Sequence, residues 1–231
     1  MQKIPTRLRL KRSAARRLIG PGLAAVLSLA GAEGLAESLA SGGLICREQT
    51  QRLERAAGIP DQLLGAISIA ETGRWDKGRQ ASFAWPWTVT SGKDGRHFAS
   101  KRDAIAWVKT LKARGVTNID VGCMQINLGY HPDAFESLEE AFDPSANVAY
   151  AASFLKRLFR RNNSWTMAVA HYHSTTPARH RPYWDKVVRL WNAERHRAAV
   201  DRREAVKAAY LKKMQDRGST SATAKRTGND L

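Results

Sequence analysis

Ile59-Pro-Asp-Gln-Leu-Leu-Gly-Ala-Ile-Ser-Ile-Ala-Glu71-Thr-Gly73 reads as one short helix with a chemical anomaly at its end. Pro60 stands near the first helical position, where its missing N–H is harmless, and Gly73 is a natural stop. Leu63/Leu64, Ile67 and Ala70 recur with a 3.6-residue period and form an apolar stripe. Glu71 follows Ile67 by four residues and Leu64 by seven, so it lies on that stripe, in the last turn. Burial and the negative end of the helix dipole both disfavour its ionised form. A neutral carboxylic acid on a buried wall is what general-acid attack on a glycosidic bond requires. An outward Glu71 paired with Arg74 at a frayed helix end fits the local pattern equally well.

Outward from this helix the chain is mainly helical. Residues 46–58 carry helix formers up to Gly58. Trp85-Pro-Trp87-Thr-Val89-Thr alternates with period 2, and Ser91-Gly-Lys-Asp-Gly95 is a turn cluster before Arg96-His-Phe98, which predicts a β-hairpin. Alternation places Trp85, Trp87 and Val89 on one face, either packing the hairpin onto the helices or offering a platform for sugar rings. Lys101 to Ala113 is an amphipathic helix stopping near Gly115, and Asp143-Pro144 opens a longer one through Phe159. Ser164 caps a helix from Trp165 to about His173, and another runs from near Pro182 through Trp191.

Lys+Arg number 38 and Asp+Glu 21, a formal net charge of +17, but the excess sits at the two ends. Residues 1–32 hold seven Lys/Arg and no acid, residues 192–231 ten against five, and the stretch between them 21 against 16. That distribution does not describe a nucleic-acid-binding surface. Residues 1–32 read as an export signal, with a basic start, an apolar run from Leu18 to Ala30 too short for a comfortable span, and small residues through Ala32. An uncleaved anchor and a twin-arginine route through Arg16-Arg17 are the alternatives. Residues 192–231 read as a basic, partly disordered tail. Cys46 and Cys123 both follow the signal, and either a disulfide or two buried thiols fits their spacing.

Ile69-Ala-Glu71-Thr-Gly73, Gly122-Cys-Met-Gln-Ile-Asn127 and Ala168-Val-Ala-His-Tyr172-His-Ser174 resemble, in order, the three signature segments of the soluble lytic transglycosylase (SLT) family. Asp143-Pro-Ser-Ala-Asn147 resembles the stretch between the last two, and the likeness covers residues 45–191. It implies a lysozyme-like helical fold with a small β-hairpin insertion. It also implies cleavage of the β-1,4 bond between N-acetylmuramic acid and N-acetylglucosamine in peptidoglycan, giving a 1,6-anhydromuramoyl product without a cofactor. Glu71 matches the family's catalytic acid, and Thr72, Met124, Gln125, Asn127, Tyr172 and His173 match positions at the sugar cleft. An intramolecular nucleophile would answer a puzzle, since ordinary glycosidases need two carboxylates and Asp76 and Asp120 both look like loop residues.

Several residues depart from the family pattern. Thr72 stands where Ser is common, His173 where Asn is usual, and Cys123 where an apolar residue is expected, which a bridge to Cys46 would explain. The Gln125-Ile126-Asn127 form is shared with specialised members of secretion systems and pili. Such a protein is expected to be a periplasmic monomer partnered by glycan strands and by a secretion, pilus or flagellar assembly. A hydrolytic lysozyme using Asp76 or Asp120, and a weakly catalytic peptidoglycan-binding module, are the competing readings. His171 and His173 point about 200° apart on a helix, so no metal site is expected of them.

Overall fold

The computed structural model describes residues 30–227. Helix α1 (Ala30–Ala57) ends at Gly58, whose φ of 62° is the left-handed conformation that glycine adopts freely. Helix α2 (Leu63–Thr72) follows, with Leu63, Leu64 and Ile67 fully buried as the stripe requires. Helices α3 (Lys101–Ala113), α5 (Pro144–Asn162) and α6 (Trp165–His173) begin where Ser100, Asp143 and Ser164 accept hydrogen bonds from backbone N–H groups of the first turn. A short α4 (Leu138–Ala141) precedes α5, and α7 runs from Pro177 to Thr227. Helices α1, α2, α5, α6 and α7 enclose the main core, around Leu64, Ile67, Val148, Leu155 and Val187.

The expected hairpin is β3 (Thr88–Ser91) with β4 (Asp94–His97), in the register Thr88↔His97 and Ser91↔Asp94. Trp85, just before it, is buried, with its indole Nε1 donating to the Phe98 carbonyl at 2.7 Å, and half-buried Trp87 packs against the cluster that holds Val89, as the packing alternative expects. A second hairpin, β1 (Gly73–Asp76) with β2 (Ala81–Ala84), leaves directly from the end of α2. Two-residue strands β5 (Asp120–Val121) and β6 (Ile126–Asn127) complete a sheet of order β4-β3-β5-β6. Val89, Val121 and Phe142 close a second core cluster beneath this sheet.

The expected leader lies outside the described residues except for Ala30 to Ala32, which open α1. The boundary at Asn192 falls inside α7, and Glu194 and Ala198 beyond it are buried. The helix therefore packs against the core for at least two further turns. Cys46 of α1 and Cys123 form a disulfide with Cα atoms 5.8 Å apart, closing the open alternative in favour of the bridge. Among the described residues no helix is long and apolar enough to cross a membrane.

Candidate active site

Strands β5 and β6 are joined by the turn Gly122-Cys-Met-Gln125. Gly122 has φ 80°, and a Cβ there would collide with the side-chain amide of Asn147. Asn147 is fully buried at the start of α5 and braces the turn from below. Its Nδ2 donates to the carbonyls of Val121 and Ala141, each at 3.0 Å, and its Oδ1 accepts the Met124 N–H at 2.9 Å. Asn147 sits in the quoted fourth segment, yet periodicity alone gives no sign that an inward Asn there holds the turn.

The sheet aligns three polar residues across neighbouring strands. Thr90 pairs with Asp120 and Asp120 with Asn127, so all three lie on one face, above the second core. Asp120 is thus a strand residue and not the loop residue expected. Asn127 Nδ2 donates to its Oδ1 at 2.8 Å, while burial pushes the Asp120 carboxyl above the ordinary aspartate range. Asp76, by contrast, lies on the β1–β2 hairpin, bonded to the Arg79 N–H and guanidinium, which hold it below its ordinary value.

Glu71 faces this sheet from the end of α2. Tyr183 of α7 donates its hydroxyl to Glu71 Oε1 at 2.6 Å, and Lys186 on the next turn donates to the Ala70 carbonyl at 2.5 Å. Desolvation pushes the Glu71 carboxyl up to about 7; the Asp120 charge adds to the rise, and Tyr183 and Lys186 oppose it. The Arg74 ion pair does not form: Arg74 lies over the Trp85 ring, 4.8 Å from its centroid. A cleft of about 670 Å³ brings together Glu71, Asp120, Gln125, Asn127, Tyr172 and His173.

Of the residues expected at the sugar, Thr72 and Met124 lie beneath the cleft. Thr72 is buried, its hydroxyl shared between the carbonyls of Ser68 and Cys123 and accepting the Trp85 N–H. It ties α2 to the β5–β6 turn. Met124 is fully buried in the main core. Tyr172 reaches the cleft, but its hydroxyl donates to the Met124 carbonyl at 2.9 Å and not to Glu71. Gln125 spends its amide on the turn, Nε2 donating to the Thr88 and Gly122 carbonyls and Oε1 accepting from Thr90 Oγ1 at 2.5 Å. Asn127 Oδ1 accepts the N–H groups of Gly129 and Tyr130. His173 stacks on Tyr183 with ring centroids 4.5 Å apart, and burial lowers its pKa, favouring the neutral ring.

These contacts describe a wall built from the second and third sequence segments around Glu71, with Asp120 on the same cleft. Residues 91–182 match the family model of the transglycosylase SLT domain. The fold is mainly α and lysozyme-like, consistent with that family model. The matched stretch holds Asp120, the β5–β6 turn and Tyr172. It begins after Glu71, which the β1–β2 hairpin and β3 separate from it in sequence, and stops one residue before Tyr183. The chain matches no curated protein and no solved structure. SLT domains are peptidoglycan-cleaving transglycosylase domains, which sets the class of activity at the family level.

Proposed function

We propose that this chain is a lytic transglycosylase that cleaves the N-acetylmuramic acid–N-acetylglucosamine bond of peptidoglycan, outside the cytoplasmic membrane, with Glu71 as its acid and base. Protonated Glu71 gives its proton to the bridging oxygen as the bond from the anomeric carbon breaks. The resulting carboxylate takes the proton of the muramoyl 6-hydroxyl as that oxygen closes onto the same carbon, so no water is consumed. The observation that carries this reading is a carboxyl pushed up to about 7 at the wall of a cleft, close to the value a group needs to give and regain a proton near neutrality. Tyr183 fixes its orientation by donating to Oε1. The Gln125-Ile126-Asn127 form of the turn supports service in a secretion or pilus assembly, and the basic-then-apolar residues 1–30 support export.

One observation favours a second reading. Asp120 lies on the same cleft as Glu71, so a second carboxylate is at hand for a hydrolytic, lysozyme-type displacement. Mass spectrometry of muropeptides released from purified sacculi separates the two: anhydromuramoyl ends are expected, and reducing ends would transfer the assignment to hydrolysis. Glu71→Gln should remove release of either product by a factor of at least ~10²–10⁴. Residual activity above about a tenth of wild type would be incompatible with general acid catalysis at Glu71.

A further inference from the structure

Beyond the core-packed part of α7, the helix carries an apolar stripe that nothing among the described residues covers. Val200, Val206, Tyr210, Leu211 and Met214 are all exposed, Val206 at 71% and Tyr210 at 60%. At about 100° per residue these five fall within an arc of roughly 140°. The buried residues of the same helix, Tyr183, Val187, Glu194 and Ala198, cluster on the opposite side. The stripe is thus directed away from the domain and does not belong to its core. Arg203 and Lys207 lie within the arc, Arg202 and Lys213 on one flank and Glu204 on the other, whereas Asp201 lies well outside it. Arg202, Arg203, Val206, Lys207 and Tyr210, together with Ala199, already line one shallow groove. The whole face lies outside the residues matched by the SLT family model.

From this arrangement we infer that residues 199–214 form an interfacial helix that lies on an anionic phospholipid surface. A basic amphipathic face with an interfacial aromatic binds by inserting its apolar side at the headgroup level while lysine and arginine stems snorkel to the phosphates. Charge complementarity selects this occupant over a second copy of the chain: two such faces would set Arg202, Arg203, Lys207 and Lys213 of each against those of the other, with the flanking Glu204 the one acid beside the arc to pair them. The apolar stripe selects it over an anionic polymer, which the cations alone would satisfy. Tyr210 and Tyr183 are separated along one helix by about 40 Å, so with α7 lying flat the cleft is displaced along the surface, and the domain, packed on the side of α7 opposite the stripe, faces away from the lipid.

The test is co-sedimentation of the full chain with vesicles of mixed phosphatidylglycerol and phosphatidylcholine and with pure phosphatidylcholine vesicles. Binding to the anionic vesicles that weakens with added salt is expected. Arg203→Gln/Lys207→Gln, which keeps helix formers, should weaken it about thirtyfold. Val206→Ser/Tyr210→Ser/Met214→Ser should weaken it on the order of tenfold or more, with muropeptide release from soluble fragments unchanged in both variants. Three outcomes would overturn the inference. They are binding unaffected by either α7 variant, competition by polyglutamate equal to that of the anionic vesicles, and a concentration-dependent dimer that the serine variant dissolves.

Discussion

Glu71 draws its hydrogen-bond donor from Tyr183, 112 residues further along the chain. The anomaly at Glu71 is legible in sequence because its own helix supplies the stripe that turns it inward. Tyr183 is not, since nothing local to Arg181-Pro-Tyr-Trp184 indicates which helix end it will meet. Asp120 escaped for a different reason: a strand of two residues has no alternation to read. The two roles of Tyr183 predict a distinctive variant. Its hydroxyl favours the carboxylate, so Tyr183→Phe should leave Glu71 still more reluctant to ionise. In the wild type, activity should fall as pH rises through about 7, because the starting acid must hold its proton. In Tyr183→Phe that alkaline limb should move upward. The plateau should drop on the order of tenfold to a hundredfold, because the carboxyl loses its orientation. Sacculus-clearing rates across pH read both effects, and a lowered plateau with an unmoved limb would mean that Tyr183 only packs.

The elements that positioned easily are those with their own caps: Asp143 and Ser164 each mark a helix start that the structure keeps. The β1–β2 hairpin was not legible, as Gly73-Arg-Trp-Asp76 shows neither alternation nor burial and is ordered by pairing with Ala81–Ala84. Helix α2 is capped from outside. Its N-cap residue Gln62 has φ 67° and no side-chain cap, and buried Glu54 of α1 supplies one, Oε2 accepting the Gln62 N–H at 2.8 Å and Oε1 the Gly65 N–H at 3.0 Å. Glu54→Ala should therefore cost about 1–3 kcal/mol in denaturant unfolding, since it strands buried N–H groups. Those N–H groups favour the carboxylate, but desolvation is larger and pushes Glu54 up to about 7. The folded state then binds this proton more tightly than the unfolded chain. The stabilisation is present below the ordinary glutamate pKa and is lost as pH rises through about 7. Glu71 acts in the same direction. The two carboxyls lower the melting temperature from about pH 5 to about pH 8, whereas the depressed imidazoles of His97, His131 and His173 raise it, so the difference between wild type and Glu54→Gln across that range isolates the Glu54 part. A pH profile of melting temperature that Glu54→Gln leaves unchanged in slope would contradict the buried-carboxyl account.

At the scale of the molecule, two long-range ties hold the cleft to its frame. The Cys46–Cys123 bridge spans 77 residues and fastens α1 to the β5–β6 turn. Reduction should lower stability by about 4 kcal/mol in the chain-entropy view, read as a lower unfolding midpoint with reductant than without. The second tie is α7, where composition misleads. Past Trp191 the chain turns charge-rich and reads as tail, because a helix that packs only one narrow side keeps a mostly solvated sequence. Yet Glu194 is buried, bonded to Arg197 at 2.7 Å, Ala198 is buried, and Asp201 pairs with Arg47 of α1 at 3.3 Å. Two truncations distinguish the packed part of α7 from the exposed part. Ending the chain after Trp191 removes Glu194, Ala198 and the Arg47 partner, and uncovers α1 beside the Glu54 cap. A loss on the order of 2 kcal/mol or more is expected. Ending it after Arg203 keeps all three contacts, so stability should hold within about 0.5 kcal/mol and turnover of soluble glycan fragments should be unchanged. Equal unfolding midpoints for the full chain and the Trp191 truncation would mean that α7 contributes nothing to the domain beyond that residue.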